Sequence, residues 1–161
     1  MLDDQPLDPA VHDRQGFECG VPALDEFLHR FAEQHRRRGI SSGYVLTESA
    51  QPERILGYYT LSAAEVDGKR LTDVERKKLP RYPVPCFRMG RLACRTGQRG
   101  SGLGKLLLGC AVDRCLKARQ QVAAYALVVD AKDDVAKAFY VHFGFKSLLD
   151  SSLTLYLPLG R

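Results

Sequence analysis

A glycine-rich run in the second half of the chain has the composition of an anion-binding loop. It reads Arg99-Gly100-Ser101-Gly102-Leu103-Gly104, is followed by Lys105, and leads into a helix predicted to begin near residue 102. The first amides of a helix lack acceptors within the helix, and together with the helix dipole they attract an anion. Glycines let a diphosphate reach the backbone without a side-chain clash. The run therefore predicts a diphosphate-binding loop; a glycine-rich turn without a ligand is the alternative.

A tyrosine on a second predicted helix is the best candidate for proton transfer. This helix covers residues 133–142 and carries Ala136, Phe139 and Tyr140. A phenol is both a donor and an acceptor of hydrogen bonds, so it can deliver a proton to a leaving group. The alternative is a core tyrosine whose hydroxyl is satisfied by a neighbour.

The first third of the chain predicts a helix and a hairpin. A helix over residues 21–38 follows from one apolar face with i, i+3, i+4 and i+7 spacing, made by Leu24, Phe27, Leu28 and Phe31. Gly39 suits the end of that helix. Residues 43–48 and 54–66 predict two strands, and Gln51-Pro52-Glu53 predicts the turn that makes them a hairpin.

The middle of the chain predicts a short helix and a defective strand. A capping box, in which Thr72 precedes a glutamate by three residues, predicts a helix reaching Lys78. The proline-rich stretch 80–85 predicts no regular element. Residues 86–94 predict a strand whose apolar alternation changes parity near Gly90-Arg91, and a one-residue β-bulge produces that change.

Helices and strands alternate in the last third. A helix over residues 102–119 is predicted from one apolar side, made by Leu103, Leu106, Leu107, Cys110, Ala111 and Ala118. Residues 122–129 are apolar throughout and predict a strand buried on both faces. After the helix over 133–142, residues 145–146 and 153–159 predict strands. With no repeat or linker, residues 1–161 predict one domain of mixed α and β structure.

Together, these motifs resemble those of the GNAT acetyltransferase superfamily. Its loop pattern, Gln/Arg-x-x-Gly-x-Gly/Ala, is matched by Arg99, Gly102 and Gly104. Its later pattern, Asn-x-x-Ala-x-x-x-Tyr-x-x-x-Gly-Phe, is matched by Ala136, Tyr140, Gly144 and Phe145. Asp133 stands where the asparagine is usual. The resemblance implies an α/β (α+β) fold with a mixed, mostly antiparallel sheet, a bulged or splayed central strand and flanking helices.

The resemblance narrows to the toxins of GNAT-type toxin–antitoxin modules. It is carried by Phe17-Glu18-Cys19-Gly20, Leu24-Asp25-Glu26-Phe27-Leu28, Gly57-Tyr58-Tyr59-Thr60-Leu61, Tyr82-Pro83-Val84-Pro85 and Gly90-Arg91-Leu92-Ala93. In that branch the enzyme transfers acetyl from acetyl-CoA to the amino acid on charged tRNA and stops translation. The resemblance therefore implies charged tRNA as acceptor, a cognate antitoxin of ribbon–helix–helix type and a homodimer. Arg95 departs from the branch, which usually carries an acidic or neutral residue there.

The resemblance also implies the roles of individual residues. Tyr140 is the catalytic acid, because a phenol pKa of about 10 and a thiol pKa of about 8.5 make protonation of the leaving thiolate nearly balanced. Amides of the bulged strand hold pantetheine and polarise the thioester carbonyl. The residues expected to bind acetyl-CoA are Leu92, Ala93, Cys94, Arg99, Gly100, Ser101, Gly102, Leu103, Gly104, Lys105, Asp133, Ala136 and Phe139.

The acceptor is indicated by charge and by the lack of a dedicated base. Glu65 and Asp130 are possible bases, but nothing in the sequence singles them out. A lysine amine titrates near 10.4 and an α-amine near 7.7–8.0, so the α-amine needs less help to become neutral. The net charge is +5, and a surface made of Arg30, Arg36, Arg37, Arg38 and Arg91 suits an RNA backbone. A solvated surface is the alternative for each basic cluster.

Composition disfavours several other classes of protein. Apolar residues at 45% and charged residues at 27% are ordinary globular usage, which argues against disorder. The start is acidic and unlike a signal peptide, and the longest apolar run, Val122 to Val129, is far below the roughly 20 residues of a membrane span. We therefore expect a soluble, cytoplasmic protein without membrane contact. Scattered histidines and cysteines predict no metal. The rival functions are acetylation of a small-molecule or protein amine, and non-catalytic acyl-CoA binding.

Overall fold

In the part of the chain that the structure describes, seven strands form one sheet. The structure is a computed structural model and describes residues 1–79, 83–98 and 100–160. The strands are β1 (Leu2–Pro6), β2 (Ser42–Glu48), β3 (Gly57–Val66), β4 (Val84–Cys94), β5 (Ala126–Asp130), β6 (Lys146–Leu148) and β7 (Ser151–Pro158). They lie in the order β1-β2-β3-β4-β5-β7-β6. The helices are α1 (Pro22–Glu26), α2 (Ala32–Arg37), α3 (Asp73–Arg76), α4 (Leu103–Ala118) and α5 (Asp134–His142). The order of strands and helices is the mixed arrangement expected from the sequence.

Contacts within the chain group it into two units. The first consists of Met1–Ser62 and Gly90–Ala111, and the second of Ala63–Met89 and the chain from Val112 onward. The boundaries fall inside β3, β4 and α4, so each of these elements contributes residues to both units. A single domain over residues 1–161 stays a prediction.

The first unit contains an antiparallel three-stranded edge of the sheet. β1 pairs with β2 from Leu2↔Glu48 to Pro6↔Tyr44, and β2 pairs with β3 from Ser42↔Leu61 to Leu46↔Gly57. The predicted hairpin is confirmed, although its second strand begins at Gly57 instead of residue 54. β1 was missed, because its five residues, LDDQP, carry almost no apolar alternation.

The predicted helix over residues 21–38 is present but is interrupted by a π-helical turn. This turn covers Phe27–Phe31, and the amide of Ala32 donates to the carbonyl of Phe27 across five residues. The extra residue moves Phe31 off the buried face. Phe31 is 36% exposed, whereas Ala32 is 3% exposed and takes its place. The prediction that Phe31 packs in the core is therefore wrong. Gly39, with φ +70°, ends the helical segment as expected.

The second unit joins parallel and antiparallel pairs. β4 pairs with β5 in parallel from Cys86↔Ala126 to Met89↔Val129, and β5 pairs with β7 antiparallel from Ala126↔Pro158 to Asp130↔Thr154. Eight of the buried side chains of this unit form a core cluster: Val66, Leu71, Val84, Cys86, Ala126, Val128, Leu148 and Tyr156.

Several predicted boundaries are wrong for local reasons. The strand expected over residues 122–129 begins at Ala126, and Val122 is 70% exposed because residues 119–122 continue the helix end with turn hydrogen bonds. Proline does not prevent β4 from starting at Val84, since Pro85 still accepts from the amide of Tyr125. The rest of the proline-rich stretch includes residues 80–82, which lie outside the described residues.

The predicted capping box does not form at α3. Thr72 is the N-cap residue, but its side chain makes no cap hydrogen bond and instead accepts one from the Tyr156 hydroxyl at 3.2 Å. Glu75 accepts from the hydroxyl of Tyr125 and from Lys146. Tertiary partners therefore outcompete the local cap, and the helix is only four residues long.

The buried side of α4 differs from the predicted one. Its fully buried side chains are those of Leu103, Leu107, Leu108, Ala111 and Cys115. Leu106, at 42% exposed, and Ala118 were expected on the buried side but lie at the surface. Within the described ranges, no helix has both the length and the apolar character needed to span a bilayer.

A buried histidine makes the stability of the fold depend on pH. His12 is 4% exposed, and its Nδ1 accepts a hydrogen bond from the amide of Asp8 at 2.9 Å. The neutral ring is thus required, and its Nε2 is buried without a partner among the described residues. Burial lowers the pKa of His12, against a smaller opposing effect of Asp8. Since the pKa in the unfolded chain is about 6.5, the unfolded state binds more protons below that pH.

We expect wild-type stability to fall as the pH drops below about 6.5, by at most about 1.4 kcal/mol per pH unit for this one proton. In His12→Asn, the amide oxygen can still accept from Asp8 but cannot titrate. Urea unfolding of both proteins at about pH 7.5 and pH 5.5 should show the wild type losing stability relative to the variant. An identical pH dependence for the two proteins would contradict this assignment.

Candidate active site

The glycine-rich loop has an open backbone that only glycine adopts easily. Gly97, Gly100 and Gly102 have φ values of +92°, +81° and +82°. A β-carbon added at any of the three would meet no atom within 4 Å. The glycines are therefore required by backbone conformation and not by crowding, and they leave space above the backbone for an incoming group. Arg99, expected to bind the same group, lies outside the described residues.

The loop leads directly into α4. The carbonyl of Gln98 accepts from the amide of Ser101 at 3.3 Å and also from the Ser101 hydroxyl. The carbonyl of Gly102 accepts from the amide of Leu106 at 3.1 Å, which makes Gly102 the residue before the first turn. The amides of Leu103, Gly104 and Lys105 consequently have no acceptor within the helix. An anion placed above this turn would find those amides and the positive end of the helix dipole.

Contacts of β4 support the predicted bulge. Tyr58 and Thr60 lie two apart on β3 and share one face of the sheet. A β-carbon at Gly90 would lie 3.3 Å from the Thr60 hydroxyl oxygen, whereas Ala93 shares a core cluster with Tyr58. An even and an odd position of β4 thus face the same side, which requires a one-residue slip between Gly90 and Ala93. The slip coincides with a buried hydroxyl, that of Thr60, which has no partner among the described residues.

The same strand separates from β5. Parallel pairing with β5 ends at Met89, and Leu92, Ala93 and Cys94 lie beyond it. Bulging and loss of one neighbouring strand both release backbone groups from the ladder. Amides released in this way are suited to hold an extended ligand or to polarise a carbonyl.

Arg95 connects the end of β4 to two neighbouring segments. Its side chain donates to the carbonyl of Ile55 at 2.7 Å and to that of Gly16 at 2.9 Å, while its amide donates to Leu56 at 2.7 Å. Only a long, forked donor can reach both carbonyls. The departure from the toxin pattern at this position therefore has a structural role that sequence reasoning missed.

The predicted RNA-binding arginines fall into three structural situations. Arg91 lies half-buried with its guanidinium carbon 3.5 Å from the centroid of the Phe27 ring, and burial lowers its pKa. Arg30 and Arg36 are exposed and pair with Glu26 at 3.1 Å and with Glu33. Arg37 and Arg38 are exposed at the end of α2.

Asp133 performs the function expected of the usual asparagine as a helix cap. It is the N-cap residue of α5, and its carboxylate accepts from the amide of Ala136 at 2.8 Å. Either residue type supplies the required oxygen. Replacement of asparagine by aspartate thus preserves the start of the helix that carries Phe139 and Tyr140.

Tyr140 is a buried phenol with an unengaged hydroxyl. The residue is 7% exposed, and its ring packs against Phe139 and Phe145, each with a centroid separation of 5.3 Å. Burial raises the pKa of Tyr140 to about 12. Within the described residues its hydroxyl makes no hydrogen bond, which argues against a core tyrosine held by a structural partner. The group is protonated at neutral pH and available as a donor.

The two candidate bases differ in their surroundings. Asp130 is held by an ion pair with Arg88 and by the Thr154 hydroxyl at 3.0 Å. Glu65 is exposed on β3. Asp130 is therefore already engaged by a cation and a hydroxyl, and it would have to leave both to act as a base. In the described part of the chain, histidine, cysteine and carboxylate side chains form no group of three that could hold a metal.

Comparison with known proteins identifies the family. The model of the acetyltransferase (GNAT) family matches residues 10–145. The chain belongs to the GNAT family of acetyltransferases. It is thus an N-acetyltransferase, and acetyl-CoA is the donor that GNAT enzymes use. The GNAT fold, with its mostly antiparallel sheet, confirms the architecture expected from the sequence.

Among GNAT proteins, the similar relatives are toxins. The chain is 34% identical to the tRNA-acetylating toxin of Mycobacterium tuberculosis over 134 residues, which is 83% of this chain and 78% of the relative. The crystal structure of a Tyr-to-Phe mutant of KacT superposes with a TM-score of 0.91 at 32% identity, covering 98% of this chain and 95% of that chain. AtaT complexed with acetyl-methionyl-tRNAfMet gives a TM-score of 0.91 at 30% identity, with the same coverage.

Sequence reasoning overlooked two features of the GNAT site region. Gly97 has the same left-handed conformation as the two recognised glycines, and its position two residues before the motif was the available signal. Thr60 is the second feature, since a threonine among Tyr58, Tyr59 and Leu61 is a polar side chain in an apolar strand. Its buried hydroxyl beside Gly90 could not be foreseen without the register of β3 and β4.

Proposed function

We propose that this GNAT chain is a toxin that transfers acetyl from acetyl-CoA to the α-amine of aminoacyl-tRNA and thereby blocks translation. The observation that carries the proposal is the 34% identity, over 83% of the chain, to a tRNA-acetylating toxin. A match of that extent is too long to be confined to the acetyltransferase motifs, which lie between residues 99 and 145.

The backbone of the first unit supplies a binding surface for acetyl-CoA. The left-handed glycines and the first amides of α4 would hold the diphosphate, with Ser101 and Lys105 beside them. Leu92, Ala93 and Cys94, beyond the slip in β4, would bind the pantetheine arm along the strand. On α5 we assign Ala136 and Phe139 to the same ligand, and Asp133 to the cap that fixes their helix.

The reaction requires polarisation, attack and protonation. Bound acetyl-CoA supplies a thioester whose carbonyl carbon is attacked by the amine. Amides of the β4 segment from Leu92 would donate to the carbonyl oxygen as negative charge develops there. Tyr140 would give its proton to the leaving sulfur, because among the described residues its hydroxyl has no hydrogen-bond partner. The amine nitrogen, which becomes positively charged on attack, would lose a proton to water or to the Tyr140 oxygen, and the latter transfer restores the phenol.

The raised pKa of Tyr140 sets the energetics of that proton transfer. Against a thiol pKa of about 8.5, a phenol at about 12 is a weaker acid by an amount worth about 5 kcal/mol. The step is therefore unfavourable for a solvated thiolate. It becomes favourable only if the proton moves as the carbon–sulfur bond breaks, or if the thiolate is desolvated and more basic. We assign Tyr140 to a proton transfer that is concerted with departure of the thiol.

An α-amine on an ester is the acceptor that fits these residues best. It is largely neutral near pH 8 and needs no strong base, which agrees with Asp130 being held in an ion pair. The exposed arginines at the end of α2 would bind phosphates of the tRNA. AtaT is known in complex with acetyl-methionyl-tRNAfMet, and we propose charged tRNA as the corresponding partner of this chain.

A toxin of this kind requires a partner that restrains it. AtaT is known bound to the C-terminus of the antitoxin AtaR and acetyl-CoA, and KacTA is known in complex with DNA. We propose that this chain has a cognate antitoxin of ribbon–helix–helix type and acts as a homodimer in the cytoplasm.

Gly102→Ala should weaken acetyl-CoA binding roughly 5- to 30-fold, because a non-glycine residue in the left-handed conformation costs about 1–2 kcal/mol, so the free loop relaxes to another conformation and binding must restore the left-handed one. Gly109→Ala is the matched control, since Gly109 lies within α4 and a β-carbon there also meets no atom within 4 Å. That control should bind normally and be slightly more stable. Calorimetric titration with acetyl-CoA measures both, and equal affinities for the two variants would remove the loop from the binding site.

Tyr140→Phe should lower kcat by roughly 10²- to 10⁴-fold while acetyl-CoA binding stays unchanged. The melting temperature should hardly change, because the lost hydroxyl has no hydrogen-bond partner among the described residues. Single-turnover acetylation of charged tRNA gives the rate. A variant with wild-type kcat would show that another group protonates the thiol.

The acceptor can be identified by offering labelled acetyl-CoA together with aminoacyl-tRNAs, deacylated tRNA, free amino acids and a lysine-rich protein. Label should appear on charged tRNA alone and leave with the amino acid when the ester is hydrolysed. Arg37→Gln should flatten the dependence of log K on log salt by about 0.9, whereas Lys117→Gln, whose lysine pairs with Asp113, should not. Equal labelling of free amines or protein lysines would favour a general acetyltransferase instead.

A further inference from the structure

The π-helical turn places an aromatic ring at the surface of the most arginine-rich element of the chain. Phe31 is the most exposed phenylalanine or tyrosine among the described residues. The arginines of the same helical segment are Arg30, Arg36, Arg37 and Arg38, and all four are exposed. An exposed phenylalanine among cations is the composition of a surface that stacks nucleobases and neutralises phosphates.

The exposure of Phe31 results from a departure from regular helix geometry. Four residues after Phe27, a regular α-helix would return Phe31 to the buried face with Leu24 and Leu28. The π-helical turn gives up that burial and seats Ala32 in the core instead. Single π-helical turns are frequently found at functional sites, and here the consequence is a phenyl ring facing solvent.

One face of the Phe31 ring is already approached by a planar cation. The guanidinium carbon of Arg30 lies 5.4 Å from the ring centroid of Phe31, and Arg30 is held by an exposed ion pair with Glu26. Such an exposed pair is weak, so Arg30 can leave Glu26 for a phosphate without a large penalty. A base on the ring and a phosphate on Arg30 would belong to the same nucleotide or to its neighbour.

The π-helical turn also contacts β4, the strand to which the reaction is assigned. Phe27, its first residue, is stacked under the guanidinium of Arg91, which directly precedes Leu92 on β4. Phe31 is the last residue of this turn. It therefore lies one helical turn from Phe27, whose ring contacts Arg91 next to the proposed acetyl-binding segment. The nucleotides closest to a reacting aminoacyl ester are those of the single-stranded 3′ end of the tRNA.

We propose that Phe31 is a stacking site for an unpaired base at the 3′ end of the acceptor tRNA, flanked by Arg30 for an adjacent phosphate. The inference rests on the proposed function and specifies how its substrate is held. Stacking is tolerant of base identity, so this site contributes affinity and placement of the 3′ end without reading its sequence.

The test compares Phe31→Leu and Phe31→Trp with the wild type. Each protein is titrated with an intact tRNA and with the same tRNA trimmed of its single-stranded 3′ nucleotides, over a series of salt concentrations. Phe31→Leu keeps an apolar side chain but loses the aromatic face, so it should bind intact tRNA roughly 5- to 100-fold more weakly with an unchanged salt dependence. Phe31→Trp should bind as well as the wild type. All three should bind the trimmed tRNA equally.

Two results would overturn the proposal: wild-type affinity of Phe31→Leu for intact tRNA, or an equal loss of affinity for intact and trimmed tRNA. Melting temperatures of both variants exclude unfolding as the cause. Acetylation of charged tRNA by the wild type tests the proposed function separately, because it can succeed whether or not Phe31 contributes to binding.

Discussion

Partway along its length, strand β4 stops pairing with its neighbour β5, and the chemistry assigned to this chain depends on that change. Up to Met89 the strand pairs in parallel with β5, and from Gly90 it continues without that neighbour. The slip between Gly90 and Ala93 falls at the same place, as does the boundary between the two units. In a regular strand every backbone amide would donate a hydrogen bond to a neighbouring strand. The irregular part of β4 leaves amides available to a ligand, next to the points where Arg91 and Arg95 contact the surrounding core.

The sequence predicted this region well because its signals are local. Glycine spacing before an apolar helix, the parity change near Gly90-Arg91 and the pattern ending at Tyr140 each depend on a few neighbouring residues. The features that escaped prediction depend on tertiary contacts. Arg95 reaches carbonyls of Gly16 and Ile55, which no spacing rule connects. Thr72 and Glu75 have the spacing of a cap, yet Tyr156 and Tyr125 compete for them successfully.

The helical segment from Pro22 to Arg37 also has a feature that local sequence signals cannot predict. Its i, i+3, i+4, i+7 pattern is that of an uninterrupted helix, and the pattern gives no sign of where an extra residue enters a turn. The turn forms where Phe27 is fixed on both sides, by Tyr58 at a ring separation of 6.4 Å and by Arg91 at 3.5 Å. With Phe27 and Leu28 held in the core, seating Ala32 beside them leaves the bulkier Phe31 outside. Packing, and not helix propensity, therefore decides which aromatic residue reaches the surface.

Acid and base requirements of the reaction are divided unequally between protein and substrate. The described residues include a buried phenol with a pKa raised to about 12, which is a reluctant donor, while the candidate base Asp130 is paired with Arg88. A reaction on a lysine amine would have to remove a proton from a group titrating near 10.4 without assistance. An α-amine made less basic by its ester arrives mostly neutral, so no base is needed before attack, and the proton that its nitrogen loses after attack balances the one that sulfur gains. The buried phenol and the ion pair that holds Asp130 both agree with that class of acceptor, and the exposed arginines of the helical segment suit an acceptor attached to a polyanion.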